Sequence, residues 1–519
     1  MISGKTPCVG DRIECAGQYG TIKYIGEVEG YPGTWYGIDW DDPERGKHNG
    51  IVRDKQYFTA RYPRSASFVR PEKVNVGQSA VTAIQSRYGQ KSDNNNAYDK
   101  QQLLSLQRTM NAPFLELVGF DKVSDIQSDF NKLKIVNIRL QCVNCPGEPN
   151  ALEIMCPNIV ELDISKNLLT KWTEVFEICS QLKKLSWLNV SENLLIIPDN
   201  YTNFKFESIK TLICGAMNLN WTDLQKLSVV FPELEELRAP KNQITSLNTS
   251  PSHSFQKLQL LDIEDNKVGK WEEIIKLGVI KTLEQLILEN TGIKEIKFPC
   301  KDGDNACNNF ENLKKLTLTN NEISDWNSIG ELNKLGNLQE LRLLRNPVLE
   351  KENYATCFQI VIARIASLQY FNGTLIKPEE RKGAEYDYLK KYALEWFSVR
   401  DDDEKRKEFL ANHNRYLELM EKYGSPEESE LKQQPKCISG SLIELKLVYE
   451  DQEKIKCLPP TIQVRKLTML VQRLFNLSER PILVCISNSQ PEIEIELDDD
   501  GKEIDFYSIQ TGDQIIVKT

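Results

Sequence analysis

The sequence predicts a multidomain α+β chain: a small β-module, then a long repeat solenoid, then a second small α+β domain. Three observations carry that expectation. Aromatic residues and closely spaced glycines cluster at 33–50, a leucine–asparagine pattern recurs between 133 and 346, and apolar–polar alternation returns after 441. A chain of 519 residues has room for about three or four such domains.

The first element is Trp35-Tyr36-Gly37-Ile38-Asp39-Trp40, followed by the loop Gly46-Lys47-His48-Asn49-Gly50. Short aromatic-rich strands punctuated by glycine fit a twisted β-module rather than a helix. Gly46 and Gly50 let the loop backbone come close to a ligand. Lys47 and His48 then offer donors to a carboxylate, beside an aromatic surface of Trp35, Tyr57, Phe58 and Phe68. Such a surface suits an acidic peptide that ends in an aromatic residue. Residues 45–73 also carry eight basic side chains (Arg45, Lys47, Arg53, Lys55, Arg61, Arg64, Arg70, Lys73) against Asp54 and Glu72, in a chain of net charge −10. This island attracts acidic peptides. Its shortness, in an otherwise acidic chain, argues against nucleic acid.

On GTWYGIDWDDPERGKHNG at 33–50, YF at 57–58 and SFVRP at 67–71, residues 1–77 resemble the CAP-Gly domain. The resemblance implies a small β-barrel-like fold that binds C-terminal acidic-aromatic tails, notably that of α-tubulin. Carried over by position, the tail-binding residues are Trp35, Gly46, Lys47, His48, Asn49, Gly50, Tyr57, Phe58 and Phe68. The family's loop usually reads Gly-Lys-Asn-Asp-Gly. Here His48 and Asn49 replace the Asn-Asp pair, and Asp54 stands where a further glycine is common.

Residues 78–112, biased to Ser, Asn, Gln and Asp, read as a linker that is flexible near 89–97. The repeats follow within 113–373, starting at 133, 159, 185, 209, 234, 258, 283, 313 and 338. IVELDISKN, LSWLNVSEN, LEELRAPKN, LQLLDIEDN, LKKLTLTNN and LQELRLLRN are the clear copies. Near-equal spacing of this motif defines a leucine-rich repeat solenoid, with a longer excursion at 300–309. The leucines of each copy bracket a short strand and point inward, and the asparagine bonds the backbone as the chain turns away. Trp172, Trp221, Trp271 and Trp326 follow shortly after the asparagine position and read as core filler on the convex side. Segment 345–373 looks like a leucine-rich repeat C-terminal cap, which a solenoid needs.

Side chains alternate along a strand, so positions two, four and six after each start face outward on the concave side. These are Glu161, Asp163 and Ser165; Trp187, Asn189 and Ser191; Glu236 and Arg238; Asp262 and Glu264; Lys315 and Thr317; Glu340 and Arg342. Trp187, a large aromatic at such a position, is a candidate anchor for a partner. Packing on a neighbour is an equally good account of it.

Residues 374–423 have helical composition from Pro378 to Lys422, one or two helices broken near Asp401-Asp402-Asp403. GSPEESELKQQPKCISG at 424–440 reads as a linker. Residues 441–519 then give strand, hairpin, strand, helix and strands, an order that resembles a ubiquitin-like β-grasp domain. Ending at Thr519 without a Gly-Gly pair, it is expected to dock partners rather than to be conjugated.

Catalysis finds little support. His48, His253 and His413 are the only histidines, and none accompanies a Ser or Cys nucleophile signature. Gly4-Lys5-Thr6 mimics the end of a phosphate loop whose first glycine is missing. Cys142 and Cys145 have CxxC spacing without a second pair at zinc-ribbon distance, so neither a metal nor any other cofactor is expected. The acidic run at 496–505 lacks calcium-loop spacing and reads as a solvated turn. Thirteen scattered cysteines predict reduced thiols in a cytoplasmic protein, and no apolar run approaches the ~20 residues that span a membrane.

In this order, the three modules resemble the tubulin-specific chaperone E family, also called tubulin-folding cofactor E. The resemblance covers nearly the whole chain. It implies a cytoskeleton-associated chaperone that captures α-tubulin and works with partner cofactors in assembling and dissociating the αβ heterodimer. The ubiquitin-like domain would dock a cofactor or the proteasome. The alternative is a microtubule-associated adaptor that recruits signalling or proteasomal proteins.

Overall fold

The computed structural model describes residues 6–89, 129–248, 254–299, 310–426, 442–450, 452–477, 479–487, 494–507 and 509–518. His253, the 300–309 excursion, the segment 90–97 and most of 424–440 lie outside them. The chain divides into two compact units, Met1–Ser425 and Pro426–Thr519.

The first unit opens with β1 (Arg12–Cys15), β2 (Gln18–Val28) and β3 (Tyr31–Trp40), then the small hairpin β4 (Ile51–Val52) and β5 (Lys55–Gln56), then β6 (Ala66–Val69). The main sheet runs β1-β2-β3-β6, antiparallel throughout. β1 and β6 are its outer named strands, and each is bridged further, Glu14 of β1 to Asn75 and Ala66 of β6 to His48. Ile13, Ile22, Tyr36, Ile38 and Trp40 form its core.

The expected linker begins as folded structure instead. β7 (Gln78–Ser79) pairs in parallel with β9 (Val143–Cys145), after β8 (Ile135–Asn137), and α1 (Ala80–Tyr88) follows with Ser79 as its N-cap. Ala80, Ala83 and Ile84 of α1 are buried in the solenoid core. Small apolar residues at i, i+3 and i+4 suffice for a helix that a neighbour covers, although the local composition is polar. The Tyr88 hydroxyl accepts from Asn137 N at 2.8 Å, covering an edge of the repeat sheet.

That sheet continues through β10 (Glu161–Asp163), β11 (Trp187–Asn189), β12 (Thr211–Ile213), β13 (Glu236–Arg238), β14 (Leu260–Asp262), β15 (Gln285–Ile287), β16 (Lys315–Thr317) and β17 (Glu340–Arg342). The hairpin β18 (Tyr370–Phe371) and β19 (Thr374–Leu375) ends it. From β8 to β18 the strands pair in parallel, with Leu162, Leu188, Leu212, Leu237, Leu261, Leu286, Leu316 and Leu341 in one inward row. After α2 (Ala151–Met155), the convex helices α3 (Trp172–Gln181), α4 (Trp221–Val230), α5 (Trp271–Ile275) and α6 (Trp326–Glu331) each begin at one of the four tryptophans. Trp172, Trp221 and Trp271 are buried in the core, and Trp326 packs against it half-buried. The ladder asparagines act as anticipated. Asn193, for example, donates to Ile164 O and Val190 O at 3.0 and 2.9 Å and accepts from Asn167 N at 3.0 Å.

α7 (Tyr354–Arg364) packs Val361 and Ile362 onto the end of the solenoid core. Three helices follow where one or two were expected: α8 (Pro378–Val399), α9 (Asp403–Asn412) and α10 (Tyr416–Tyr423). The first break falls at Asp402, whose side chain caps α9 by accepting from Glu404 N and Lys405 N. The second falls at His413. It is buried with Nδ1 2.6 Å from the Tyr388 hydroxyl, and its ring stacks on Phe409. Burial and nearby Arg364 pull its pKa down to about 3, so it is a neutral core residue.

The second unit contains β20 (Ile443–Tyr449), β21 (Gln452–Leu458), α11 (Val464–Leu474), β22 (Ile482–Ile486), β23 (Glu494–Glu496) and β24 (Gln514–Lys518). Its sheet order is β21-β20-β24-β22-β23, with β20 and β24 parallel at the centre. Val464, Leu467 and Val471 of α11 pack against Leu445, Leu447, Leu483, Cys485, Ile515 and Val517, which gives the expected β-grasp. No helix of the described residues is long and apolar enough to cross a membrane.

Candidate functional site

The glycine loop lies along β6. Lys47 N and His48 N donate to Ala66 O at 2.7 and 3.3 Å, and Ala66 N returns a bond to His48 O at 2.9 Å. This approach explains both glycines: a Cβ at Gly46 would stand 2.3 Å from Ala66 N, and one at Gly50 (φ +102) 2.0 Å from Phe58 O. The loop closes one side of a groove of about 210 Å³ lined by Val28, Tyr31, Trp35, Lys47, His48, Val52, Ser67 and Phe68. Phe68 sits at the centre of an aromatic cluster, with ring centroids 5.3 Å from Tyr57, 5.7 Å from Phe58 and 5.4 Å from His48. Arg70 lies 3.8 Å over the Trp35 ring, whose Nε1 donates to Tyr31 O.

Trp35, Lys47, His48 and Phe68 therefore line the groove as the sequence indicates. Tyr57 and Phe58 pack edge-on against Phe68 without lining the groove, and Gly46 and Gly50 position the loop. Asn49 does not line the groove; its carbonyl accepts from Ala60 N at 3.0 Å, a loop-fixing role. Sequence reading missed Tyr31, Val28 and Val52, and counted Arg70 in the basic island without its position over Trp35. Tyr31 shares the period-two face of Trp35, which was the available signal.

The basic island is smaller than its count. Arg61 is engaged by Asp39 and Asp41, Arg64 by Glu44 and Lys55 by Glu29. Arg45 lies over Trp40 and donates to Cys15 O. Lys47, Arg53 and Arg70 remain around the groove, Arg53 lying 5.2 Å over Tyr31. Arg53 and Asp54 have φ of +50° and +61° between β4 and β5, the two-residue turn geometry that explains why glycine is common at the second position.

His48 preserves the loop in place of asparagine. Its Nδ1 accepts from Gly50 N at 3.0 Å, the bond an Asn Oδ1 would form in an Asx-turn. Burial and the neighbouring Lys47 charge hold its pKa below the ordinary imidazole value. The neutral ring, protonated on Nε2, is thus the folded form. Since the folded pKa is lowered, the loop's contribution is complete above the ordinary value near 6.5 and declines as pH falls below it. Amide protection at Gly50 should accordingly weaken between pH 7 and 5.5 in the wild type, after correction for intrinsic exchange. In His48→Asn it should hold steady; equal pH responses would refute the acceptor role.

The second surface is the concave repeat face. Pairing aligns Glu161, Trp187, Thr211, Glu236, Leu260, Gln285, Lys315 and Glu340 in one row. A second row holds Asp163, Asn189, Ile213, Arg238, Asp262, Ile287, Thr317 and Arg342. Several predicted ligand groups turn back on their own strand ends. Asp163, Asn189 and Asp262 accept from Ser165 N, Ser191 N and Glu264 N at 2.9–3.1 Å. Ser165 and Asp262 are buried rather than outward and free. Burial raises the pKa of Asp262, and burial with Asp262, Asp265 and Glu289 nearby raises that of Glu264. Arg238 pairs with Glu236 and Asp262, while Lys315 and Arg342 both pair with Glu340. Trp187 is half-buried between Glu161 and Thr211. The degenerate repeats add Thr211, Ile213, Gln285 and Ile287, and Leu260 joins them to form a partly apolar middle that the sequence pattern passed over.

Cys8, Cys15, Cys142, Cys156, Cys179, Cys214, Cys357, Cys457 and Cys485 are free thiols, and among the described residues no group of three or more His, Cys, Asp or Glu side chains is placed to hold a metal ion. The Cys142 thiol is pushed up to about 11 by burial and Glu14.

Comparison with known proteins places these surfaces in context. A family model for the CAP-Gly domain matches residues 9–74, and one for a leucine-rich repeat matches residues 273–396. Tubulin-specific chaperone E of Homo sapiens is 37% identical over 529 residues, covering 98% of this chain and 98% of that protein. Its counterpart in Drosophila melanogaster is 33% identical over 522 residues, with the same coverage. Among solved structures, the C-terminal ubiquitin-like domain of mouse tubulin-specific chaperone E is 33% identical, covering 16% of this chain and 92% of that one, with a TM-score of 0.15. The Drosophila melanogaster SNF/U2A' complex is 19% identical, covering 31% and 71%, with a TM-score of 0.21.

Proposed function

This chain belongs to the tubulin-specific chaperone E family, and we propose that it works as a tubulin-folding chaperone by holding α-tubulin at two places. The CAP-Gly groove takes the acidic tail, with Lys47 meeting the terminal carboxylate and Trp35 and Phe68 flanking the terminal aromatic ring. The concave repeat face touches the folded body. Two individually weak grips suit a chaperone that must release its client, because either can open first. In this reading the protein acts non-enzymatically in the cytoplasm, near the cytoskeleton. It cooperates with other tubulin-folding cofactors to assemble and dissociate the αβ heterodimer. α7 closes the solenoid, whose apolar interior would otherwise face water.

The observation that carries this reading is the groove itself: an exposed lysine without an ion-pair partner among the described residues, beside an aromatic pocket. A charge-assisted hydrogen bond contributes about 1.5–3 kcal/mol. Lys47→Ala should therefore weaken binding of an acidic-aromatic peptide by roughly ten-fold or more, as read by titration. Unchanged affinity would rule the site out. Stoichiometric capture of soluble tubulin, with weak cosedimentation with polymer, separates this reading from that of a microtubule adaptor.

The ubiquitin-like domain is assigned as a docking module for a partner cofactor or the proteasome. Deleting residues 441–519 should leave peptide binding intact and remove one protein from pull-downs. Identical recoveries would make it a structural appendage.

A further inference from the structure

The junction between the small module and the solenoid has no slack. Asn75 exchanges two backbone hydrogen bonds with Glu14 of β1, at 2.8 and 3.0 Å. Three residues later, Gln78 N donates to Cys142 O at 2.9 Å, and Gln78 Nε2 donates to Gln141 O at 2.9 Å. Between them the Val76 carbonyl accepts from Asn144 Nδ2 at 2.6 Å. Gly77 (φ +99) passes so close that a Cβ there would stand 2.5 Å from Cys142 O. The chain then enters α1, already buried in the solenoid core. Each residue from 75 to 80 is thus tied to one module or the other, or fills the closest approach between them.

A cleft of about 330 Å³ separates Arg12, Asp41 and Arg61 of the small module from Lys166 and Glu192 of the solenoid. On one wall Arg12 and Arg61 hold Asp41; on the other Lys166 and Arg139 hold Glu192. With the charges satisfied within each wall, the main chain at 75–79 sets the spacing.

We infer that the CAP-Gly module and the repeat solenoid form one rigid platform, which presents the tail groove and the concave face at fixed spacing to a single folded partner with an acidic tail. The inference rests on the two-grip reading for its functional half, while the rigidity stands on geometry alone. A flexible tether would place the second contact at an effective concentration set by linker length. A folded junction settles the relative orientation before binding, and less ordering cost falls on association.

The test inserts six Gly/Ser residues between Gly77 and Gln78 of the full chain. A synthetic acidic-aromatic peptide should bind wild type and insertion variant equally, whereas intact tubulin should bind the variant roughly ten-fold or more weakly. Equal affinity of both proteins for intact tubulin overturns the fixed-spacing inference. Spin labels introduced at Glu44 and Lys183 by an unnatural amino acid give a second readout, independent of tubulin. The wild-type distance distribution should be narrow and should broaden on insertion; a broad wild-type distribution overturns the platform whatever tubulin does. Failure of the peptide to bind either protein, with a narrow wild-type distribution, sinks the tail-binding reading and leaves the platform supported. Should the insertion prevent folding, Gln78→Ala with Asn144→Ala removes both side-chain ties and should broaden the distribution in the same sense.

Discussion

α-Tubulin trimmed of its terminal aromatic residue should still be captured by the wild-type chain, and should be lost by the variant carrying Trp187→Ala and Arg238→Glu. In the two-grip reading, trimming empties the aromatic pocket beside Trp35 and Phe68 but leaves the concave face untouched. Two linked contacts can exceed either alone by roughly a hundred-fold or more, so trimming should cost most of the affinity without abolishing it. On the repeat face, Trp187→Ala removes the largest aromatic in the concave rows. Arg238→Glu places a third carboxylate beside Glu236 and Asp262, which Arg238 now pairs, and reverses the charge presented to the partner. Binding of intact and trimmed tubulin to both proteins is the measurement, with circular dichroism confirming that the variant is folded. If trimming alone eliminates capture, or the repeat-face changes leave trimmed tubulin bound as before, the two-grip reading is wrong.

Asn193→Leu should destabilise the first unit by about 2 kcal/mol or more, although leucine copies the branching and heavy-atom count of the asparagine side chain. Asn193 is buried, and its amide satisfies Ile164 O, Val190 O and Asn167 N. Leucine leaves Val190 O and Asn167 N in the core without that partner, at about 1–3 kcal/mol each, while Ile164 O keeps its bond from Asn167 Nδ2 at 2.9 Å. Neighbouring repeats depend on one another through their shared faces, so damage at one rung weakens the next. Asn312→Leu is the control: its exposed side chain donates to Lys281 O at 2.8 Å, and its loss should cost about 0.5 kcal/mol or less. Denaturant midpoints of the two variants decide the matter. A loss below about 1 kcal/mol for Asn193→Leu would mean that the ladder is not what holds the turns.

The repeat pattern was legible because each leucine and asparagine performs the same task in every copy. Where a copy departs, the structure supplies a substitute that spacing alone does not reveal. Thr291 occupies a ladder position and donates through Oγ1 to Leu288 O at 3.0 Å, while Asn321 of the next repeat accepts from its backbone. The same departures hid Thr211, Ile213, Gln285 and Ile287 from the concave face, since position numbers were assigned from the clear copies. In the groove, the loop glycines, Lys47, His48, Trp35 and Phe68 stood in recognisable order. Tyr31 and Val28 sit at a hairpin, so they reach the pocket only through strand pairing.

By itself the sequence determined the three modules in order, the inward leucine rows, the tryptophans packed on the convex side and the lysine-bearing loop. All of these rest on local periodicity, or on residue types with one conformational use. Only the tertiary structure decided that 78–88 is a docked strand and helix, that Asp163, Asn189 and Asp262 cap their own strands, and that four of the eight basic residues at 45–73 are engaged away from the groove. Whether a polar segment packs and whether a charge is free both depend on partners distant in sequence: β9 for Gln78, Asp39 for Arg61, Arg238 for Asp262. Burial and pairing energies of that kind arise only when the chain brings those partners together.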